Sequence, residues 1–258
     1  MKSKIIVALL VGALAVTAAS VAVLAQTPAT TPDTTAAEQP ATTPPAAAPA
    51  ANDTAARVAA IKANLATNKQ NLMSYQWTET QVVNLKGEDK SAKQFSCSYG
   101  ADGKVVKTAL TAPAQGKDKP GLRGKIVENK KEEMSGYMKS AVALVKSYIP
   151  PDPAKIQAAK DAGKVSMTPL QGGKSIRVDI KDYEKPGDVL GIEIDPATNQ
   201  ILGLSVASYL TDVQDAVMLD VKMAALADGT GYPGTIVLDG KAQKIKVTVS
   251  NSDYKKKS

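Results

Sequence analysis

The strongest constraint on the fold lies between Val165 and Ser250. There, short runs of alternating apolar and polar residues are cut repeatedly by Gly, Pro, Asn and Asp. Alternation by twos puts one face of each run against a core and the other toward water. Connections such as Asp195-Pro196-Ala197-Thr198-Asn199 and Asp228-Gly229 are too short for helical crossovers, so successive strands must be antiparallel neighbours. The pattern predicts strands at Val165–Leu170, Ser175–Ile180, Val189–Asp195, Ile201–Tyr209, Ala216–Leu226, Thr235–Leu238 and Gln243–Ser250.

The same period appears earlier, in Tyr75–Leu85, Ser91–Tyr99 and Val105–Leu110, with turns at Gly87 and Asp102-Gly103. Helical spacing interrupts it twice. Val58, Ile61, Leu65 and Leu72 follow the capping residues Asn52, Asp53 and Thr54 and predict a helix over Thr54–Met73. Met134, Tyr137, Met138, Ala141, Leu144, Val145 and Tyr148 form one apolar stripe of a second helix, Ile126–Ile149, broken by Pro150–Pro153. A short helix over Ala154–Ala162 ends at Gly163. About ten strands with two long amphipathic helices predict an α+β fold. Its sheet is strongly curved, antiparallel and half-open, with the Ile126–Ile149 helix on the concave side.

The N-terminus carries different information. Lys2 and Lys4 precede an almost wholly apolar run, Ile5 to Leu24, and Val23-Leu24-Ala25 offers small residues for cleavage before Gln26. Such a run is either removed as an export signal or kept as a membrane anchor. No Cys stands near Ala25 to accept a lipid. Residues 26–51 are nearly all Thr, Pro and Ala and predict a disordered linker, leaving 52–258 as one domain. Both outcomes place that domain in the periplasm or outside the cell.

The composition excludes several chemistries. The chain has no His, so Ser-His-Asp and Cys-His nucleophiles and His-ligated metals are ruled out. One Cys, Cys97, cannot form an internal disulfide. The net charge is +7, but only Arg57, Arg123 and Arg177 are Arg, and no basic stripe supports nucleic-acid binding. "QGGKS" (171–175) lacks the first Gly of a phosphate loop and runs into a strand instead of a helix. Asp179, Asp182, Glu184 and Asp188 match no Ca²⁺-loop spacing. A His-free hydrolase would need paired carboxylates, with Glu79 and Asp220 or Glu193 the residues to test. We expect no catalytic residues, no metal and no cofactor.

The order of elements resembles the periplasmic lipoprotein carrier LolA and its relatives LolB and the sensor-type RseB. "SYQWTETQVV" (74–83) stands where that family has an aromatic-polar first strand, and "LGIEIDPATNQILGLSV" (190–206) resembles its later hairpin. The resemblance implies a half-barrel with lid helices and an apolar cavity. It also implies a non-enzymatic carrier of a lipid, an acylated protein or another apolar ligand, with an envelope protein as a further partner. The expected lining is Tyr75, Trp77 and Leu85 of the first strand, Phe95 of the second, and Met134, Tyr137, Met138, Ala141 and Val145 of the helical stripe. Two readings of that stripe stay open: the wall of a cavity, or a filled core beneath a protein that works through its surface. Glu79 and Gln81, on the face of Trp77, suit either a cavity mouth or a solvated sheet face.

Overall fold

The computed structural model describes residues 51–111 and 122–257. The export segment, nearly all of the linker and most of the loop expected over 112–125 lie outside the described residues. Helix α1 (Ala51–Leu72) leads into strands β1 (Tyr75–Leu85), β2 (Glu88–Tyr99) and β3 (Val105–Ala109). Helices α2 (Leu122–Lys146) and α3 (Pro153–Asp161) follow. The chain then runs through β4 (Val165–Leu170), β5 (Ser175–Lys181), β6 (Val189–Ile194) and β7 (Ile201–Tyr209) to β8 (Ala216–Ala225), β9 (Gly231–Gly240) and β10 (Ile245–Lys256).

All ten strands form one curved antiparallel sheet in the order β3-β2-β1-β10-β9-β8-β7-β6-β5-β4. The two ends of the chain's strand content meet in its middle, where β1 pairs with β10. The sheet does not close on itself, and β3 and β4 are its edges. Each edge carries a feature that discourages pairing with another chain. In β4 this is Pro169; in β3 it is Lys107, whose charged side chain turns inward.

Alternation makes the core a set of rows crossing the strands. One row, Ile180–Leu190–Val206–Leu219–Leu238–Val247, is buried along its whole length. Helix α2 lies on this side of the sheet. Its Met138, Ala141, Val142 and Val145 belong to the same buried cluster as the row. The Tyr137 ring packs on Gly240, where a Cβ would stand 2.4 Å from the ring, so only glycine fits there. Tyr148, just past α2, donates from its hydroxyl to Asp188 and contacts Ser208 Oγ at 2.8 Å. Asp188 in turn accepts the backbone N–H groups of Tyr183 at 2.6 Å, Glu184 at 3.1 Å and Lys185 at 3.0 Å. This buried carboxylate shapes the β5–β6 connection and ties it to the end of α2, so the 182–188 acids act as a turn scaffold.

Helix α1 is docked differently, by an asparagine ladder at i, i+4 and i+7. Asn64 donates to the carbonyls of Thr198 and Asn199 at 3.0 and 3.2 Å. Asn68 accepts the Gly231 N–H at 3.0 Å, and Asn71 donates to Thr230 Oγ1 at 3.1 Å. The helix therefore runs across the β6–β7 and β8–β9 turns, satisfying turn backbone groups that would otherwise face water.

The expected boundaries shift in four elements. Strand β9 begins at Gly231 rather than Thr235, and β2 at Glu88 rather than Ser91. Strand β10 continues to Lys256 instead of stopping at Ser250, because β1 opposite it supplies partners as far as Tyr75. Helix α2 ends at Lys146, and residues 147–149 continue it only as turns.

Candidate functional site

Strand β1 turns Tyr75, Trp77, Glu79 and Gln81 to the buried side. Trp77, 3% exposed, stacks on Tyr254 at 5.5 Å and lies 5.5 Å from the Tyr99 ring. Its indole N–H donates to Asn251 Oδ1 at 3.1 Å, and the Asn251 amide donates to the Pro233 carbonyl at 2.8 Å. Tyr75 packs edge-on against Tyr254, and its hydroxyl donates to Asp228 at 2.6 Å. That hydrogen bond, with Thr230 second, holds the Asp228 carboxyl down at about 2.

Glu79 is fully buried among these rings. Its charge is met by Lys107 of β3, whose ammonium lies 2.6 and 2.7 Å from the two carboxylate oxygens, and by the Gln81 amide. Glu79 and Gln81 therefore mark neither a cavity mouth nor a solvated face. They are part of a buried ion pair that spans from β1 to β3 over the intervening strand β2. Cys97 sits between the two strands, 1% exposed. Burial, and then the neighbouring Glu79 charge, push its thiol up to about 12. A disulfide reagent such as DTNB at pH 8 should leave native protein unmodified and label one thiol per chain only after urea is added, because the thiolate is the attacking species. Rapid labelling of the native protein would contradict this placement.

The structure brings the expected lining residues together. Trp77, Met138, Ala141 and Val145 are inside the main buried cluster, with Leu85, Phe95, Met134 and Tyr137 packed against it. Tyr75 is buried beside them through Tyr254. Met138, Ala141, Val142 and Val145 of α2 are each no more than 6% exposed against the sheet. Burial raises the Tyr137 hydroxyl strongly, with Asp215 the next cause.

The same concave face is open at one corner. Two neighbouring rows become exposed toward β4, the first of them buried toward β8, β9 and β10. The first runs Leu204–Ile192–Val178–Met167 and the second Ile194–Ile176–Pro169. Leu204 is buried; Ile192, Val178, Ile194 and Ile176 are half-buried; Pro169 is exposed, and Met167 is 60% exposed. Val178 and Ile192 are continuous with the main core cluster. Among the described residues, the corner therefore continues the core toward solvent, bordered at the β6–β7 turn by the Asn64 contacts of α1. Sequence reading missed it, since an inward-facing strand residue looks the same whether or not a helix lies above it.

Among the described residues, no cluster of three or more His, Cys, Asp or Glu could hold a metal ion. The carboxylates weighed for hydrolysis do not converge. Glu79 faces the core, whereas Glu193 and Asp220 lie on the opposite face of the sheet. No described helix is long and apolar enough to cross a membrane.

No protein-family model matches the chain, and no curated protein is similar to it in sequence. Solved structures give distant likenesses. A LolA superfamily protein from Nitrosomonas europaea is 8% identical, with 77% of this chain and 94% of that chain covered at a TM-score of 0.34. A DUF1329 family protein from Desulfovibrio piger is 11% identical, covering 76% and 92% at a TM-score of 0.35. An outer membrane lipoprotein-sorting protein domain from Vibrio parahaemolyticus is 10% identical, covering 75% and 91% at a TM-score of 0.33.

Proposed function

We propose that the chain is an exported, non-enzymatic domain that binds an apolar chain, such as that of a lipid or an acylated protein, on the concave face of its sheet. The observation that carries this reading is the open corner formed by Met167, Pro169, Ile176, Val178, Ile192 and Ile194. Side chains that continue a core into solvent present apolar surface that an aliphatic ligand would remove from water, at about 25 cal/mol per Å². The Met167 thioether is flexible and polarisable and suits an occupant of variable shape. Of the residues expected from sequence, Met138, Ala141 and Val145 of α2 belong to the same buried cluster that Val178 and Ile192 pack against. The apolar run of residues 5–24 supports export.

A second reading is favoured by the packing of α2: the domain has a closed core and acts through its surface on an envelope partner. The two differ in one assay. The fluorescent fatty acid cis-parinaric acid should bind the full chain. Met167→Asp should weaken that binding at least tenfold, about 1.4 kcal/mol. It should leave the thermal midpoint unchanged, because Met167 makes little buried contact in the free protein. Absence of binding by the wild type would favour the surface-acting reading, and unaltered binding by Met167→Asp would place the ligand elsewhere than this corner.

A further inference from the structure

The opposite, convex face of the sheet carries a polar groove of about 400 Å³ across β5, β6, β7 and β8. Two adjacent rows build it. One is Arg177–Glu193–Gly203–Lys222 and the other Asp179–Gly191–Ser205–Asp220. Four strands at their usual spacing of about 4.8 Å make the groove roughly 14 Å long.

Three features set it apart from an ordinary solvated face. First, Gly191 is buried beneath the polar groups: a Cβ there would lie 2.5 Å from Arg177 Nη2, 2.5 Å from Ser205 Oγ and 2.9 Å from Asp179 Oδ1. The guanidinium thus lies directly on the backbone. Second, its orientation is fixed. Arg177 Nε donates to Asp179 at 2.8 Å and Nη2 to Ser205 at 3.0 Å, while Ser175 donates to Glu193 at 2.6 Å. A chain that otherwise relies on Lys places one of its three Arg here. Third, Leu202 is an extra residue in β7, since Glu193 pairs with Gly203 and Ile194 with Ile201. This bulge puts Leu202 along the wall of an otherwise polar groove.

We propose that this groove binds a saccharide. Across four strands it offers two donors, Arg177, held by Asp179 and Ser205, and the exposed Lys222, beside two acceptors, Glu193, held by Ser175, and the exposed Asp220. A vicinal hydroxyl pair, each group both donor and acceptor, satisfies such neighbours at once. Leu202 supplies an apolar contact for the C–H face of a ring. Asp179, Glu193 and Asp220 outnumber the two bases, so a phosphate or sulfate is disfavoured and a neutral or amino-bearing sugar preferred. A peptide would find no free strand edge here, since the edges lie at β3 and β4.

The test is an array of linear neutral and amino-bearing oligosaccharides, with a set of charged peptides as comparison, probed with the full chain. At least one oligosaccharide series should bind. In calorimetric titration, Arg177→Lys, which keeps the charge and loses the fork, should weaken that binding at least tenfold. Lys222→Ala, an exposed position that cannot perturb the core, should weaken it severalfold. Neither should change parinaric acid binding. Absence of oligosaccharide binding, binding unchanged in both variants, or binding confined to the peptides would overturn the proposal.

Discussion

Replacing Lys107 by Met should cost roughly 3–5 kcal/mol of stability, the loss expected when a buried ion pair is broken and one charge is left behind. Lys107 is 8% exposed at its side chain, and Glu79, the charge it neutralises, is fully buried. The apolar replacement fills similar space, so the loss reports the stranded carboxylate rather than a cavity. A second substitution sharpens the test. Glu79→Gln in the Lys107→Met background removes the charge and leaves an amide beside Gln81. The double variant should therefore regain most of the stability, giving a large coupling energy in a double-mutant cycle by urea denaturation. A Lys107→Met variant within about 1 kcal/mol of the wild type would mean that Glu79 is not held charged by Lys107.

Met138→Glu should be comparably damaging, at roughly 3 kcal/mol or more, because it puts an unpaired carboxylate into the packed layer between α2 and the sheet. Met138 is 4% exposed and shares its cluster with Trp77, Ala141 and Val145. Met138→Leu conserves volume and should cost less than about 1.5 kcal/mol. Thermal melting of the two variants, with parinaric acid binding measured well below each midpoint, separates stability from binding. A Met138→Glu protein that stays as stable as the wild type yet loses the fatty acid would place the ligand beneath α2 instead of at the open corner.

Much of the architecture was legible because it depends on local periods. The switch from alternation to helical spacing at α2 and back at β4 gave ten strands, the order of elements and the stripe that α2 buries. The turn residues Gly87, Gly103 and Gly229 adopt the positive φ that their positions required. What escaped was set by register and by coverage. Glu79 and Gln81 posed an unresolved choice because their partner, Lys107, lies two strands away in space and 28 residues on in sequence. Only the pairings of β2 with β1 and β3 bring them together. The tail after Ser250 is polar and looked like an end, yet Tyr254 in it stacks on Trp77 because β1 needed a neighbour there. The Asn64, Asn68 and Asn71 ladder has helical spacing in the sequence, but nothing local says that turns lie opposite it. The open corner was hidden for the same reason: Met167, Ile176, Val178 and Ile192 alternate like every other core position, and only the reach of the helices leaves them uncovered.

The concave corner is most directly tested by photo-crosslinking. A fatty acid carrying a diazirine near its methyl end would be irradiated with the full chain, and the labelled residues identified by mass spectrometry. The account predicts labels concentrated at Met167, Ile176, Val178, Ile192 and Ile194, and competed away by unlabelled fatty acid. Labels scattered over the convex face, or none above background, would contradict it.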